Sequence, residues 1–176
     1  STLWIEGLSV DTISWVENTL AKQSHHKALC SETMSTGRAD EMHVRIPKDR
    51  IGALIGPEGK TKHELEKRTG VKLHIDSETG EVEIESKDNP LGVLQARDVV
   101  KAIGRGFSPE RAMRLLQENQ YLDIVDIREF AGTSEKAMRR LRGRVIGENG
   151  KTRETIERLS GAYVSVYGKT VALIGS

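Results

Sequence analysis

The chain has 176 residues, 30% of them charged and 36% hydrophobic, and its formal net charge of +1 excludes a polycation that coats nucleic acid indiscriminately. That length buries one ordinary core or two small ones, and the single cysteine, Cys30, excludes an intrachain disulfide or thiolate metal cluster. No apolar run reaches the roughly 18 residues of a membrane span and no signal-peptide pattern opens the sequence, so a soluble, cytoplasmic protein is expected.

Residues 1–41 read as an extension distinct from the rest. They carry both tryptophans, Trp4 and Trp15, and in "SVDTISWVENTLAK" the apolar Val10, Ile13, Val16 and Leu20 stand near helical spacing behind Ser9 or Asp11 as caps. One short helix and a polar linker are predicted. The adjacent His25 and His26 in that linker are not assigned a metal.

From residue 42 a strand, "HVRI", ends at Pro47, which cannot donate to a sheet ladder. A helical turn through Ile51 and Leu54 follows, then a helix "KTKHELEKRT" closed by Gly70. Alternating Val71, Leu73 and Ile75, a turn at 77–80, and Val82 with Ile84 predict a hairpin. The alternation turns Glu81, Glu83 and Glu85 to one solvated face. A helix from Pro90 to about Gly104 comes next, and "SPERAMRLLQEN" opens a further helix with Ser108 as cap and Pro109 at its first position. The order is β-α-α-β-β-α, with a connecting helix.

A second unit begins at 121 with the strand "LDIVDI". Helices are predicted from Ser134 to Leu141 and from Lys151 to Leu159, and the strands "AYVSVY" and "TVALIG" close the chain. With no helix after them, the sheet face bearing Val164, Val166, Val171 and Leu173 is expected to need a cover, which the helix around Val10 to Leu20 is expected to supply.

The two units share one device. "IGPEGKTK" and "IGENGKTR" each place Gly-x-x-Gly between two helices, followed by Lys-Thr and a basic residue. Glycines three apart let the backbone turn tightly and present amide N–H groups at a helix N-terminus, whose dipole favours anions. A phosphodiester strand fits such a site. The predicted contacts in the first unit are Arg45, Lys48, Arg50, Ile55, Gly56, Pro57, Glu58, Gly59, Lys60 and Lys62. In the second they are Arg139, Arg142, Arg144, Ile146, Gly147, Glu148, Asn149, Gly150, Lys151 and Arg153. The central pairs, Pro57-Glu58 and Glu148-Asn149, are not basic, so backbone amides and flanking cations carry the phosphate contact. The aliphatic flanks wall a groove for single-stranded bases.

Other readings of these residues are weaker. The glycine spacing is too short for a Walker loop. No strand shows the paired aromatics that stack bases in an RNA recognition motif. No Ser/His/Asp, paired-carboxylate or metal-ligand constellation stands out, so neither catalysis nor a cofactor is expected.

"IGALIGPEGKTKHELEKRTGVKLHI" and "RVIGENGKTRETIERLSGAYVSV" resemble KH domains, RNA-binding modules built around an Ile-Gly-x-x-Gly loop, and β-α-α-β-β-α is the eukaryotic-type KH order. The tandem arrangement and the phrase "RLRGRVIGENGKTRETIE" resemble more narrowly the archaeal homologue of the partner-of-Nob-one (KRR-like) family of small-subunit ribosome assembly factors. The resemblance implies an α+β fold of two KH domains, 42–120 and 121–176, the second without its last helix. It also implies binding near the 3′ end of small-subunit ribosomal RNA before maturation, and contact with the alpha subunit of translation initiation factor 2. An adaptor that uses one KH surface for that protein is the alternative function.

Overall fold

In the computed structural model, which describes residues 41–176, the first unit runs β1 (Glu41–Arg45), α1 (Lys48–Ile55), α2 (Lys60–Thr69), β2 (Lys72–Ile75), β3 (Glu81–Glu85) and α3 (Pro90–Gly104). A short α4 (Pro109–Ala112), prolonged by a 3-10 turn (Met113–Leu116), leads to the second unit. That unit runs β4 (Tyr121–Asp126), a single-turn α5 (Arg128–Ala131), α6 (Glu135–Ile146), α7 (Lys151–Ser160), β5 (Tyr163–Tyr167) and β6 (Thr170–Gly175). The predicted Val10–Leu20 helix, His25, His26 and Cys30 lie outside the described residues.

Each unit is a three-stranded antiparallel sheet with its last strand in the middle, β1-β3-β2 and β4-β6-β5. The registers correspond: Val44 stands opposite Val82 as Val125 stands opposite Val171, and Lys72 opposite Glu85 as Tyr163 opposite Ile174. β2 and β5 are therefore edge strands, each with one side open.

In the first unit, strand alternation sends Val44, Leu73, Val82 and Ile84 inward, where they meet Leu54 of α1 and Leu65 of α2. Helix α3 closes this core with Val93, Ala96, Val99, Val100 and Ile103, an i, i+3, i+4 stripe. Burying each of its larger side chains contributes about 1.5–3 kcal/mol. Asn89 fixes the start of α3, since its side-chain carbonyl accepts from the Gly92 N–H and its amide donates to the Thr69 carbonyl at the end of α2. Met113 and Leu115 of the 3-10 turn join the same core, so "SPERAMRLLQEN" forms only one α-turn before tightening.

The second unit is less covered. α6 is longer than predicted, reaching Ile146, and with α7 it buries Val164 and Val171 but leaves Val166 and Leu173 half-buried. Of the four residues expected to need a cover, two are thus buried by the unit's own helices. The sheet's opposite face lies against the first unit, where Ala172 and Ile174 are fully buried in the first unit's core, flanked by Leu122, Ile124 and Tyr163. Across the same contact Ser165 Oγ donates to the Arg105 carbonyl, and the Tyr167 hydroxyl donates to the Asp49 carboxylate. No helix of the described residues is long and apolar enough to cross a membrane.

Candidate nucleic-acid interface

The two glycine loops have the same backbone. Gly56 and Gly147 share φ 72° and ψ 176°, Glu58 and Asn149 lie at φ 53° and 52°, and Gly59 and Gly150 at φ 73° and 80°. In each, the first glycine's N–H donates one turn back, to Gly52 or Gly143, and the last glycine's N–H donates to the first glycine's carbonyl. The chain leaves one helix, crosses three positions of positive φ and enters a ten-residue helix, with no side-chain cap on its N-terminus. The middle residues Pro57, Glu58, Glu148 and Asn149 are exposed. The Lys60 and Lys151 N–H groups donate within the loop, to the Pro57 and Glu148 carbonyls, and the middle of each loop faces solvent beside the positive end of the helix dipole.

The first glycine of each loop cannot be anything larger. A Cβ on Gly56 would stand 2.3 Å from Thr61 Oγ1, and on Gly147 2.1 Å from Thr152 Oγ1. The Lys-Thr pair after each loop therefore has a structural half, since the threonine packs under the glycine while Lys60 or Lys151 stays exposed. The shared threonine is visible in the sequence, but this role for it is not.

The predicted cations separate into groups. Lys48, Lys60, Arg139, Arg144 and Lys151 are exposed on or beside the loop helices. Arg45 is not brought to the loop, because it lies on β1 opposite Glu81 and the alternation that buries Val44 turns it to the far face of the sheet. Arg50 is also committed elsewhere, its Nε and Nη2 donating to the carbonyls of Ile103 and Phe107 at 2.8 Å, where they neutralise the C-terminal end of α3. Arg142 donates from Nη1 to the Gly168 carbonyl at 3.0 Å, tying α6 to the β5–β6 turn. Ile55 is half-buried against the first core, while Ile146 is exposed at the mouth of the second loop.

Beyond each loop stands a glutamate that the motif reading does not single out. Glu66 accepts from the Leu73 N–H on β2, and Glu157 accepts from the Val164 N–H on β5, both at 2.9 Å. Each holds the edge strand against the helix after the loop, setting the width between them. The signal is present in the sequence as a glutamate seven residues after the second glycine in both copies. The surrounding cations differ. Lys62 pairs with Glu66 at 3.9 Å, whereas Glu157 is paired at 2.9 Å with Arg111, from α4. The guanidinium groups of Arg111 and Arg114 both lie 4.8 Å from the Tyr163 ring centroid. Arg153, the counterpart of Lys62, has a buried Nε without an acceptor.

Among the described residues no group of three or more His, Cys, Asp or Glu could hold a metal ion. The acidic stripe of β3 is paired in part with histidines and lies on the outer sheet face: His43 stands 3.7 Å from Glu81 and His74 3.6 Å from Glu85.

Two helices joined by a Gly-x-x-Gly turn against a β-sheet with its last strand central define a type I KH domain, present here twice. Residues 121–176 match the eukaryotic type KH-domain (KH-domain type I) family of the PNO1 second domain, and residues 41–102 match the KH domain family. The crystal structure of Dim2p from Pyrococcus horikoshii is 58% identical, covering 77% of this chain and 80% of that one with a TM-score of 0.71. The a/eIF2alpha-aDim2p-rRNA complex from the same organism is matched at 58% identity, 77% and 76% coverage and a TM-score of 0.72. A protein of unknown function from Aeropyrum pernix is 40% identical, with 77% and 74% coverage and a TM-score of 0.74. A KH domain-containing protein of Methanocaldococcus jannaschii is 52% identical over 135 residues, which are 75% of this chain and 59% of that protein. The chain thus spans about three fifths of that curated relative. It belongs to the tandem KH-domain family of Dim2p and PNO1.

Proposed function

We propose that this chain binds single-stranded RNA at its two Gly-x-x-Gly loops and acts in assembly of the small ribosomal subunit, on the 3′ region of the ribosomal RNA where that end is matured. The observation that carries this reading is the repeated loop backbone, exposed and with no side-chain cap at the N-terminus of a ten-residue helix in both domains. The Dim2p relative crystallised in a complex with rRNA supports the target class. The role is cytoplasmic, non-enzymatic and free of cofactors. Pure protein incubated with magnesium or manganese should leave a ribosomal RNA 3′ fragment uncut.

The second loop is the stronger site. Glu148 keeps a backbone N–H that Pro57 lacks, and the cations around the first loop are depleted by the placement of Arg45, Arg50 and Lys62. Placing Asp at both central positions of the second loop should weaken binding of a single-stranded 3′ fragment more than the same change in the first loop. Removing one phosphate from the bound interface should flatten the slope of log affinity against log salt by about 0.7. An equal or greater weakening in the first-loop variant contradicts the ranking.

A second reading has an observation of its own. The same relative's complex contains a/eIF2alpha, and the cation-poor first domain is the better candidate for a protein surface. Under it, the first domain holds the alpha subunit of translation initiation factor 2 while the second holds RNA. Calorimetric titration of that subunit should then give unchanged affinity for the second-loop variant.

A further inference from the structure

The two domains treat the same ion-pair position in opposite ways. In the first, the cation three residues past the loop, Lys62, is held by the glutamate one turn on, Glu66, at 3.9 Å. In the second, the corresponding glutamate, Glu157, accepts from Arg111 at 2.9 Å, and Arg111 belongs to α4 of the connecting segment, outside both loops. Arg153 is left without an ion pair or hydrogen bond among the described residues, and its Nε is shielded from solvent with no acceptor. Residues four apart on a helix are within ion-pairing reach, and the Lys62–Glu66 pair forms at this same spacing. Arg153 would therefore be drawn to Glu157 if Arg111 did not neutralise that carboxylate through Oε1.

We propose that Arg111 is a positioning residue for RNA binding by the second domain: it neutralises Glu157 and so keeps the Arg153 guanidinium free for a phosphate of the bound strand. This rests on the RNA-binding reading above. A guanidinium donates to phosphate oxygens through a planar fork, and with Arg111 on Glu157 the Arg153 guanidinium has no acceptor of its own among the described residues. Glu157 meanwhile keeps its bond to the Val164 N–H, so the edge strand stays in place whichever cation holds the carboxylate. The affinity of the second groove is thereby tied to the packing of α4 against β5, because the Arg111 guanidinium is steadied by the Tyr163 ring.

The test uses the full chain and a single-stranded fragment from the 3′ end of small-subunit ribosomal RNA, with affinity measured across a salt series. Arg153→Ala should weaken binding about tenfold or more, the scale of one charge-assisted hydrogen bond, and flatten the salt slope by about 0.7. Arg111→Ala should reproduce most of both effects, because Glu157 then captures Arg153. The deciding variant is Arg111→Ala with Glu157→Gln, in which glutamine still accepts from the Val164 N–H but no longer holds a cation. Affinity and slope should return to within about threefold and 0.2 of the parent values, a small fraction of one charged interaction. Unchanged binding by Arg111→Ala overturns the proposal, and so does a double variant as weak as Arg111→Ala, which would assign Arg111 to domain packing alone. The second-loop Asp variant run alongside separates the two levels: if it too binds like the parent, the RNA-binding reading itself has failed.

Discussion

The two glycines of each loop share a positive φ but differ in ψ and in what lies beside them, so replacing each by alanine sets a plain left-handed position against one where backbone strain and steric exclusion act together. At Gly59 a Cβ meets nothing within 4 Å. The cost of Gly59→Ala is then the left-handed penalty of about 1–2 kcal/mol, offset by about 0.4–1 kcal/mol from a stiffer unfolded chain, leaving about 1 kcal/mol. At Gly56 the torsions, φ 72° and ψ 176°, fall in a region open almost only to glycine, at about 1–3 kcal/mol. A Cβ there also stands 2.3 Å from Thr61 Oγ1, 2.9 Å from its Cβ and 3.0 Å from its backbone nitrogen. Thr61 is buried and cannot rotate clear, so overpacking adds about 1–3 kcal/mol. Gly56→Ala should therefore cost about 3–5 kcal/mol. Urea unfolding followed by far-ultraviolet circular dichroism reads the difference as a midpoint shift at constant m. Gly147→Ala and Gly150→Ala repeat the experiment in the second domain, where the first approach is tighter still at 2.1 Å. If Gly56→Ala comes within about 1 kcal/mol of Gly59→Ala, the loop relaxes away from the threonine and the argument fails.

Three further outcomes are expected. Glu58 occupies at φ 53° the position that Asn149 holds at 52°, and asparagine tolerates that region better, so Glu58→Asn should stabilise and Asn149→Glu destabilise by about 0.5–1 kcal/mol in thermal melts. The Asp126 carboxyl is held down to about 2, chiefly by hydrogen bonds from the Arg128 side chain and N–H. A carboxylate depressed on folding contributes stability above its unfolded value near 3.8 that disappears as pH falls toward 2, so Asp126→Asn should flatten the fall of thermal midpoint across that window and leave the slope above pH 5 unchanged. Tyr163→Leu removes the ring that two guanidinium groups face and should cost about 1–2 kcal/mol, with the effect reduced by prior removal of Arg111 and Arg114 in a mutant cycle.

The local elements are legible because their signals are local. Gly70 ends α2 in the left-handed conformation that its place after "KTKHELEKRT" predicts, and Ser108 caps α4 as its place before Pro109 requires. The paired loops are legible because they occur twice in one context. What the sequence does not readily yield is where charged side chains go once helices pack, as with Arg50 on the end of α3, and how the domains meet. For the domain contact a clue exists. In "EVEIE" only alternate residues are apolar, while its counterpart "TVALI" is apolar at both parities, the pattern of a strand covered on both faces. A reading centred on Val171 and Leu173 passes by Ala172 and Ile174, and these are the residues that the first domain buries.

That contact is directional, since the sheet of the second domain rests on the first domain's core while the first domain's own sheet faces away. Head-to-tail contacts of this kind extend without limit when the same two surfaces recur on every unit. Here they do not recur. Where the second sheet shows Leu122, Ile124, Ala172 and Ile174, the first shows Glu41, His43, Glu83 and Glu85 at the same register positions. Docking the first sheet onto another copy would strip water from those carboxylates with no partner to replace it. The domain pair is in this sense a stack with one finished end, whose strand face is kept in solvent by the side chains that distinguish the two halves of the duplication.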